Sequence, residues 1–109
     1  MRTTKLLVSL GLASTSLACL AAPDAAVNAI LSKNNCLACH AVDRKVVGPS
    51  YKDVGAKFKD DPNAVTLLVG KIKNGSAGTW GPVPMPPNPG ISPDEAKQVV
   101  NWILSGAPG

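Results

Sequence analysis

Residues 36–40 read Cys-Leu-Ala-Cys-His, and this C-x-x-C-H spacing constrains the chain more than any other feature. Two thiols three positions apart can each add to a vinyl group of one porphyrin, and the next residue brings an imidazole to the iron. The pattern therefore predicts a c-type haem attached to Cys36 and Cys39, with His40 as the proximal iron ligand. A covalent haem also staples a small domain whose own core is limited.

Other uses of a C-x-x-C pair fit the sequence less well. A zinc site needs four ligands, but the chain has a single histidine and, outside the motif, only Cys19 as a further cysteine. A thioredoxin-like dithiol would lie in a βαβ pattern, which the sequence does not show. A disulfide between Cys36 and Cys39 stays an alternative, although it would close a very short loop and would leave His40 without a role.

Residues 1–22 have the pattern of a secretory signal peptide. Arg2 and Lys5 precede an uncharged apolar stretch that ends in small residues. This stretch is short for a membrane span and no stop-transfer charges follow it, so we expect cleavage and no membrane insertion afterwards. Residues 23–109 would then form one mature domain in the bacterial periplasm, where c-type haem can be attached. The alternatives are a membrane anchor and a lipoprotein lipidated at Cys19.

The charge of the chain does not point to nucleic acid. The formal net charge is +4, but the loss of Arg2 and Lys5 with the signal peptide lowers it to about +2, and ionised haem propionates would bring it near zero. The sequence also has no arginine-rich stripe and no recognisable nucleic-acid module. We expect a monomer without a nucleic-acid partner, because no large apolar helix face is left over.

Apolar periodicity and capping signals predict an all-α domain of about four helices without strands. Between the third and fourth helices, residues 75–90 are rich in glycine and proline, and a loop this long in a compact domain is usually functional. The predicted helices span 24–35, 52–59, 61–74 and 92–106, the last opening with the capping-box pattern Ser92-Pro93-Asp94-Glu95. The predicted apolar face of the first helix is Ala26, Val27, Ile30 and Leu31, and that of the third is Ala64, Leu67, Leu68 and Ile72.

The long loop contains the candidate for the second iron ligand, Met85. His40 is the only histidine, and Met85 is the only methionine once Met1 is removed. The prolines around Met85 fix φ, which lowers the ordering cost of holding a thioether at the iron. A His/Met pair raises the reduction potential and fills both axial positions. The alternative for Met85 is a gap-filling side chain in the core.

Taken together, these motifs resemble the short bacterial class I cytochromes c of the cytochrome c-551 (c8) family, over essentially all of residues 23–109. The resemblance implies a small all-α class I cytochrome c fold, with about four helices around one covalently attached haem c and a proline-rich distal loop. Besides C-x-x-C-H, the matching segments are Val47-Gly48-Pro49-Ser50-Tyr51-Lys52-Asp53-Val54, Lys57-Phe58, 72–76 and Trp80-Gly81-Pro82-Val83-Pro84-Met85-Pro86-Pro87-Asn88.

The resemblance also implies roles for four further residues. Pro49 matches the proline whose carbonyl accepts a hydrogen bond from the proximal histidine, which would fix the tautomer of His40. Trp80 matches the tryptophan whose indole N–H reaches a haem propionate, and Asn88 matches the asparagine that steadies the methionine ligand. Lys71 lies where relatives often have an arginine near a propionate, but lysine is a point donor and not a planar fork.

The implied function is outer-sphere electron transfer and not catalysis, because both axial ligands stay bound. The implied donor is a bc1-type complex, and the implied acceptors are a cd1-type nitrite reductase, a terminal oxidase or a cytochrome c peroxidase. The alternatives are a catalytic haem protein, a gas sensor in which Met85 is displaced, and a subunit of a larger enzyme. The residues expected to border an exposed haem edge are Ala38, Val46, Val47 and Val83, with Lys33, Lys45, Lys52 and Lys57 around them to steer acidic partners.

Overall fold

The computed structural model describes residues 9, 11–13 and 24–109, and residues 24–109 contain four α-helices. Apart from 9 and 11–13, the predicted signal peptide lies outside the described residues. Within the described ranges there is no strand, and no helix is long and apolar enough to cross a membrane. The predicted all-α fold is confirmed. In chain order the elements are α1 (Ala25–Lys33), a 3₁₀ turn (Cys36–Ala38), α2 (Tyr51–Phe58), α3 (Ala64–Asn74) and α4 (Pro93–Leu104).

Side-chain caps determine where three of the helices begin. Asp24 and Ser50 each accept a backbone N–H of the first turn at 3.1 Å, at the starts of α1 and α2. At α4 the predicted capping box is confirmed, because Ser92 Oγ accepts from the Glu95 N–H at 3.1 Å and Glu95 Oε1 accepts from the Ser92 N–H at 3.4 Å. These caps satisfy N–H groups that the first helical turn cannot pair.

Helix α4 is the centre of the core and packs against each of the other three helices. Gly55 of α2 permits a close approach, since a Cβ there would collide with the carbonyl oxygen of Ile103. At the end of α4, Trp102 donates its indole N–H to the carbonyl of Pro108 at 3.1 Å, which folds the following residues back onto the core. The buried residues of α4 are Ala96, Val99, Val100, Trp102 and Ile103.

Two predictions about α3 are wrong. The helix begins at Ala64 and not at Asp61, because Asp61 makes a turn of its own: Oδ1 accepts from the N–H of Asn63 at 2.8 Å and its carbonyl accepts from the N–H of Ala64 at 3.1 Å. Leu67, predicted on the buried face, is 40% exposed. Ala64 and Leu68 occupy that face, and the turn of about 100° per residue carries Leu67 away from it.

Helix α1 needs a smaller correction. It buries Val27, Ile30 and Leu31 as predicted, but Ala26 is exposed. The helix ends before Asn35, whose left-handed backbone (φ 56°) cannot continue it. The chain therefore leaves α1 in a new direction immediately before the first cysteine of the motif.

Replacing Ser92 by alanine should destabilise the protein by about 1 kcal/mol, because the Glu95 N–H in the first turn of α4 loses its acceptor. Ser32→Ala is the matched control, since Ser32 is exposed within α1 and its hydroxyl caps no helix. Both variants can be compared with the wild type by guanidinium denaturation. Equal midpoints for S92A and S32A would contradict the assigned role of the cap.

Glu95 should make part of the stability depend on pH. Its pKa is lowered, chiefly by the hydrogen bond from the Ser92 N–H and also by Lys33, whose Nζ lies 3.5 Å from Glu95 Oε2. A carboxylate with a lowered folded-state pKa stabilises the protein above its ordinary pKa, and this contribution is lost as the pH falls through the lowered value. We expect Glu95→Gln to be less stable than the wild type at neutral pH and equally stable at strongly acidic pH. A stability difference that is the same at both pH values would be evidence against this.

Candidate functional site

The C-x-x-C-H motif folds as one tight turn after α1. The carbonyl of Cys36 accepts the backbone N–H groups of both Cys39, at 3.2 Å, and His40, at 3.0 Å. Because the backbone closes the turn in this way, the two cysteines and the imidazole all line the same cavity. The two thiols are not joined to each other. The turn therefore presents two thiols and one imidazole together, as attachment of a single porphyrin requires.

The segment that follows holds the ring of His40 in one orientation. Nδ1–H donates to the carbonyl oxygen of Pro49 at 2.7 Å. A carbonyl can only accept, so this contact places the proton on Nδ1 and leaves a lone pair on Nε2 for a metal. A Cβ on Gly48 would lie 2.5 Å from His40 Cε1, so the close approach of this segment requires glycine. The hydrogen bond predicted between His40 and the carbonyl of Pro49 is thus present in the structure.

Tyr51 packs against the ring of His40, and no pattern in the sequence predicted this contact. Its ring stacks on that of His40 with centroids 5.2 Å apart, and meets the edge of Trp102 at 5.3 Å. Burial raises the pKa of the phenol, and the neighbouring Cys36 and Cys39 raise it further, so the hydroxyl stays neutral. The buried Tyr51 Oη has no hydrogen-bond partner among the described residues.

Backbone hydrogen bonds to Ser76 fix the position of Met85. The Met85 N–H donates to the carbonyl of Ser76 at 2.7 Å, and the Ser76 N–H donates to the carbonyl of Met85 at 3.0 Å. Gly75 has a positive φ of 82°, and a Cβ there would lie 2.8 Å from the carbonyl oxygen of Met85. The glycine-rich half of the loop can therefore run directly beside the half that carries the methionine.

The end of the loop is tied to two other parts of the fold through Asn88. Its backbone N–H donates to the carbonyl of Ile72 in α3 at 2.9 Å. Its side-chain amide donates to the carbonyl of Asn34 at 3.3 Å, next to the C-x-x-C-H turn. Asn88 thus links the exit of the loop to the segment that carries the cysteines.

Two lysines from different helices contact the first half of the loop. Lys71 of α3 donates to Thr79 Oγ1 at 2.9 Å and to Ser76 Oγ at 3.3 Å. Lys57 of α2 places its ammonium 5.4 Å from the ring centroid of Trp80, within the range of a cation–π contact. Trp80 itself is 41% exposed. These contacts place cationic groups at the rim of the cavity.

One cleft connects all of these groups. Its empty volume is about 1270 Å³ with its open mouth included. Most of its surface is apolar, contributed by α3, α4 and the loop. The structure brings together every residue predicted for the site: Cys36, Cys39, His40, Pro49, Lys71, Trp80, Met85 and Asn88 all line this cleft.

The rim of the cleft includes exposed apolar side chains. Val47 and Val83 line the cleft and are exposed, Val83 to 61%. Val46 and Ala38 are exposed as well, and each is next in sequence to a lining residue. The lysines expected around them are also exposed, but Lys33 pairs with Glu95 of α4.

These features fit a covalently attached haem. A macrocycle held by thioether bonds would fill the apolar cleft. It would contact the two unlinked thiols, the imidazole with its free Nε2, the thioether and the buried hydroxyl that has no partner among the described residues. Within the described part of the chain, no three His, Cys, Asp or Glu side chains converge on a common metal position. Two thiols, one imidazole and one thioether are a donor set that suits an iron porphyrin.

Comparisons with known proteins agree with this chemistry. The family model for cytochrome c matches residues 25–107. Cytochrome c-552 of Nitrosomonas europaea is 54% identical over 76 residues, which cover 70% of this chain and 74% of the relative. Cytochrome c-551 of Pseudomonas aeruginosa is 56% identical over 77 residues, which cover 70% and 73%. The crystal structure of wild-type Nitrosomonas europaea cytochrome c552 aligns with a TM-score of 0.71 at 52% identity and covers 72% of this chain and 98% of that one.

The family determines both cofactor and class of function. A cytochrome c with a C-x-x-C-H motif carries one covalently bound haem c, and the chain is an electron carrier and not an enzyme. The sequence motifs, the four-helix fold and the relatives at more than 50% identity lead to one conclusion. The chain belongs to the class I cytochrome c family, in its cytochrome c-551 group.

Proposed function

We propose that this protein shuttles single electrons between respiratory complexes in the bacterial periplasm, with His40 and Met85 as the axial ligands of its haem iron. The observation that carries the proposal is that both side chains line one cleft with Cys36 and Cys39, while Pro49 orients the imidazole through a 2.7 Å hydrogen bond. Residues 1–22 would direct export and be cleaved, leaving residues 23–109 as a monomeric domain.

The proximal side is organised to keep its ligand unchanged. The haem, when bound, supplies the one-electron chemistry. Cys36 and Cys39 would hold it by thioether bonds, and the hydrogen bond to Pro49 keeps the lone pair of His40 on Nε2. The stacked ring of Tyr51 limits tilting of the imidazole. A ligand that cannot rotate or change tautomer keeps the reorganisation between redox states small.

The distal side supplies the second ligand from a stiffened loop. Prolines on both sides of Met85 restrict its backbone, and the two hydrogen bonds to Ser76 fix its position. Asn88 would steady the ligand by tying the loop exit to Asn34. Trp80 and Lys71 would offer donors to the propionates at the rim. With His40 and Met85 as axial ligands, the iron would have no open site, which would disfavour peroxidase chemistry and gas sensing.

The exposed rim suits brief encounters with redox partners. Val46, Val47 and Val83 give a small apolar contact, and Lys45 and Lys52 are exposed cations. Such surfaces steer acidic partners without forming long-lived complexes. The proposed donor is a bc1-type complex, and the proposed acceptors are a cd1-type nitrite reductase in denitrification, a terminal oxidase or a cytochrome c peroxidase.

The first test is the optical spectrum of the full chain expressed with haem-attachment machinery, recovered from the periplasmic fraction. We expect a c-type spectrum with the weak long-wavelength band of ferric iron bound by a thioether, and no carbon monoxide binding to the reduced protein. Met85→Ala should abolish that band, lower the reduction potential and permit carbon monoxide binding.

Val83→Ala is the matched control for this test, because Val83 lies in the same loop but is 61% exposed. It should keep the thioether band. A wild-type protein that lacks the band and binds carbon monoxide would reject the carrier assignment with Met85 as ligand. A protein without covalent haem would reject the reading of the motif itself.

Gly48→Ala tests the orientation of the proximal ligand. The new methyl group would lie 2.5 Å from His40 Cε1, so the ring or the backbone must move and the hydrogen bond to Pro49 must weaken. We expect a loss of about 1–3 kcal/mol in stability together with a changed reduction potential.

Gly70→Ala is the control for the glycine substitution, because a Cβ at Gly70 in α3 meets open space. Replacing a helical glycine by alanine should stabilise the protein by about 0.5–1 kcal/mol and leave the potential unchanged. Potential and thermal stability of G48A that match those of the wild type would contradict the proposed contact.

A further inference from the structure

Lys71 is a helical side chain that contacts the loop at two points. Its ammonium donates to Thr79 Oγ1 at 2.9 Å and to Ser76 Oγ at 3.3 Å. An ammonium has three donors, so two of them are used within the loop. Hydrogen bonds from a charged donor are stronger than neutral ones. Lys71 therefore binds residues 76–79 to a rigid helix.

Ser76 extends this connection to the proposed ligand. Its backbone exchanges two hydrogen bonds with Met85, at 2.7 and 3.0 Å. A continuous path of hydrogen bonds thus runs from the Lys71 ammonium through Ser76 to the Met85 backbone. Any outward movement of Met85 that keeps this pairing must also pull Ser76 away from Lys71.

The two halves of the loop differ in how they are stiffened. Residues 82–87 contain four prolines, which restrict the backbone without tertiary contacts. Residues 75–81 contain no proline but have three glycines with positive φ, namely Gly75, Gly78 and Gly81. Glycine backbones have the most freedom to lose. The glycine-rich half needs an external contact to stay ordered, and Lys71 provides one.

We propose that Lys71 is a positioning residue for Met85, acting through the hydroxyls of Ser76 and Thr79. This inference rests on the proposed role of Met85 as an axial ligand. It differs from a purely electrostatic role beside a propionate, in which the charge of Lys71 matters and the two hydroxyls do not. Loss of the Lys71 contacts raises the frequency with which the loop opens and the thioether leaves the iron.

The test measures how fast imidazole replaces the thioether in the ferric, haem-loaded full chain, at saturating imidazole, where loop opening limits the rate. Lys71→Met keeps an unbranched side chain and removes the donors. We expect the rate to rise about tenfold, the scale of one lost hydrogen bond to a charged group. Lys71→Arg, which keeps charge and donors, should restore most of the wild-type rate.

Lys73→Met is the matched control. Lys73 lies on the same helix, is also partly buried, and donates to the carbonyl of Ile91 at 3.0 Å, outside the glycine-rich half of the loop. Lys73→Met removes one charge, as Lys71→Met does, and it removes one hydrogen bond where Lys71→Met removes two. We expect its imidazole rate to stay close to the wild-type value.

Thr79→Val and Ser76→Ala separate the two mechanisms, because both keep the charge of Lys71 and remove one of its acceptors. An increased rate in either variant, together with faster hydrogen exchange at the Ser76 and Met85 amides, supports the route through that hydroxyl. Wild-type rates in both variants overturn the proposal, whatever Lys71→Met does. A K71M rate equal to that of K73M overturns it as well.

The same measurements distinguish failure of this inference from failure of the proposed function. If the wild-type ferric protein lacks the thioether band, Met85 is not the ligand and both proposals fall. If the wild type shows the band and the variants behave as described for a purely electrostatic role, only the positioning role of Lys71 is rejected.

Discussion

The hydrogen bond from His40 to the carbonyl of Pro49 joins the two segments on which the site depends. One segment is the tight turn that carries both cysteines, and the other leads directly into α2. The bond can form only because Gly48 lets the backbone approach the ring, and it determines which nitrogen faces a metal. Tyr51 at the start of α2 then closes the face of the ring. A single interaction thereby sets the position, tautomer and orientation of the His40 ring, the proposed proximal ligand.

The loop of residues 75–90 has the opposite task in the proposed site, because it would hold the Met85 ligand without any helix or sheet. Its proline-rich half is stiff through covalent constraint, and its glycine-rich half is held by contacts with α3 and by the pairing of Ser76 with Met85. Segments with little regular structure are the ones that open most readily. The contacts at the base of the loop therefore bear on how long Met85 stays in place.

The helices mainly position the segment that carries His40 and the loop that carries Met85. Helix α4 packs against the other three, and its core residues border the cleft through Val99, Val100 and Ile103. The Gly55 contact lets α2 lie close to α4, which brings Tyr51 against Trp102. A domain with so small a core gains from the haem as an apolar partner, so cofactor attachment and folding support each other.

The sequence by itself determined the features that depend on residues close together along the chain. The C-x-x-C-H spacing, the capping box at Ser92 and the proline-rich loop around Met85 could all be predicted, because each depends on residues close together along the chain. Tertiary structure alone decided the contacts between distant segments. The stacking of Tyr51 on His40, the clearance required at Gly48 and the pairing of Lys71 with Thr79 each depend on how separate elements pack, as does the exposure of Leu67. Sequence periodicity indicates that a side chain lies on a helix face, but packing determines what that face meets.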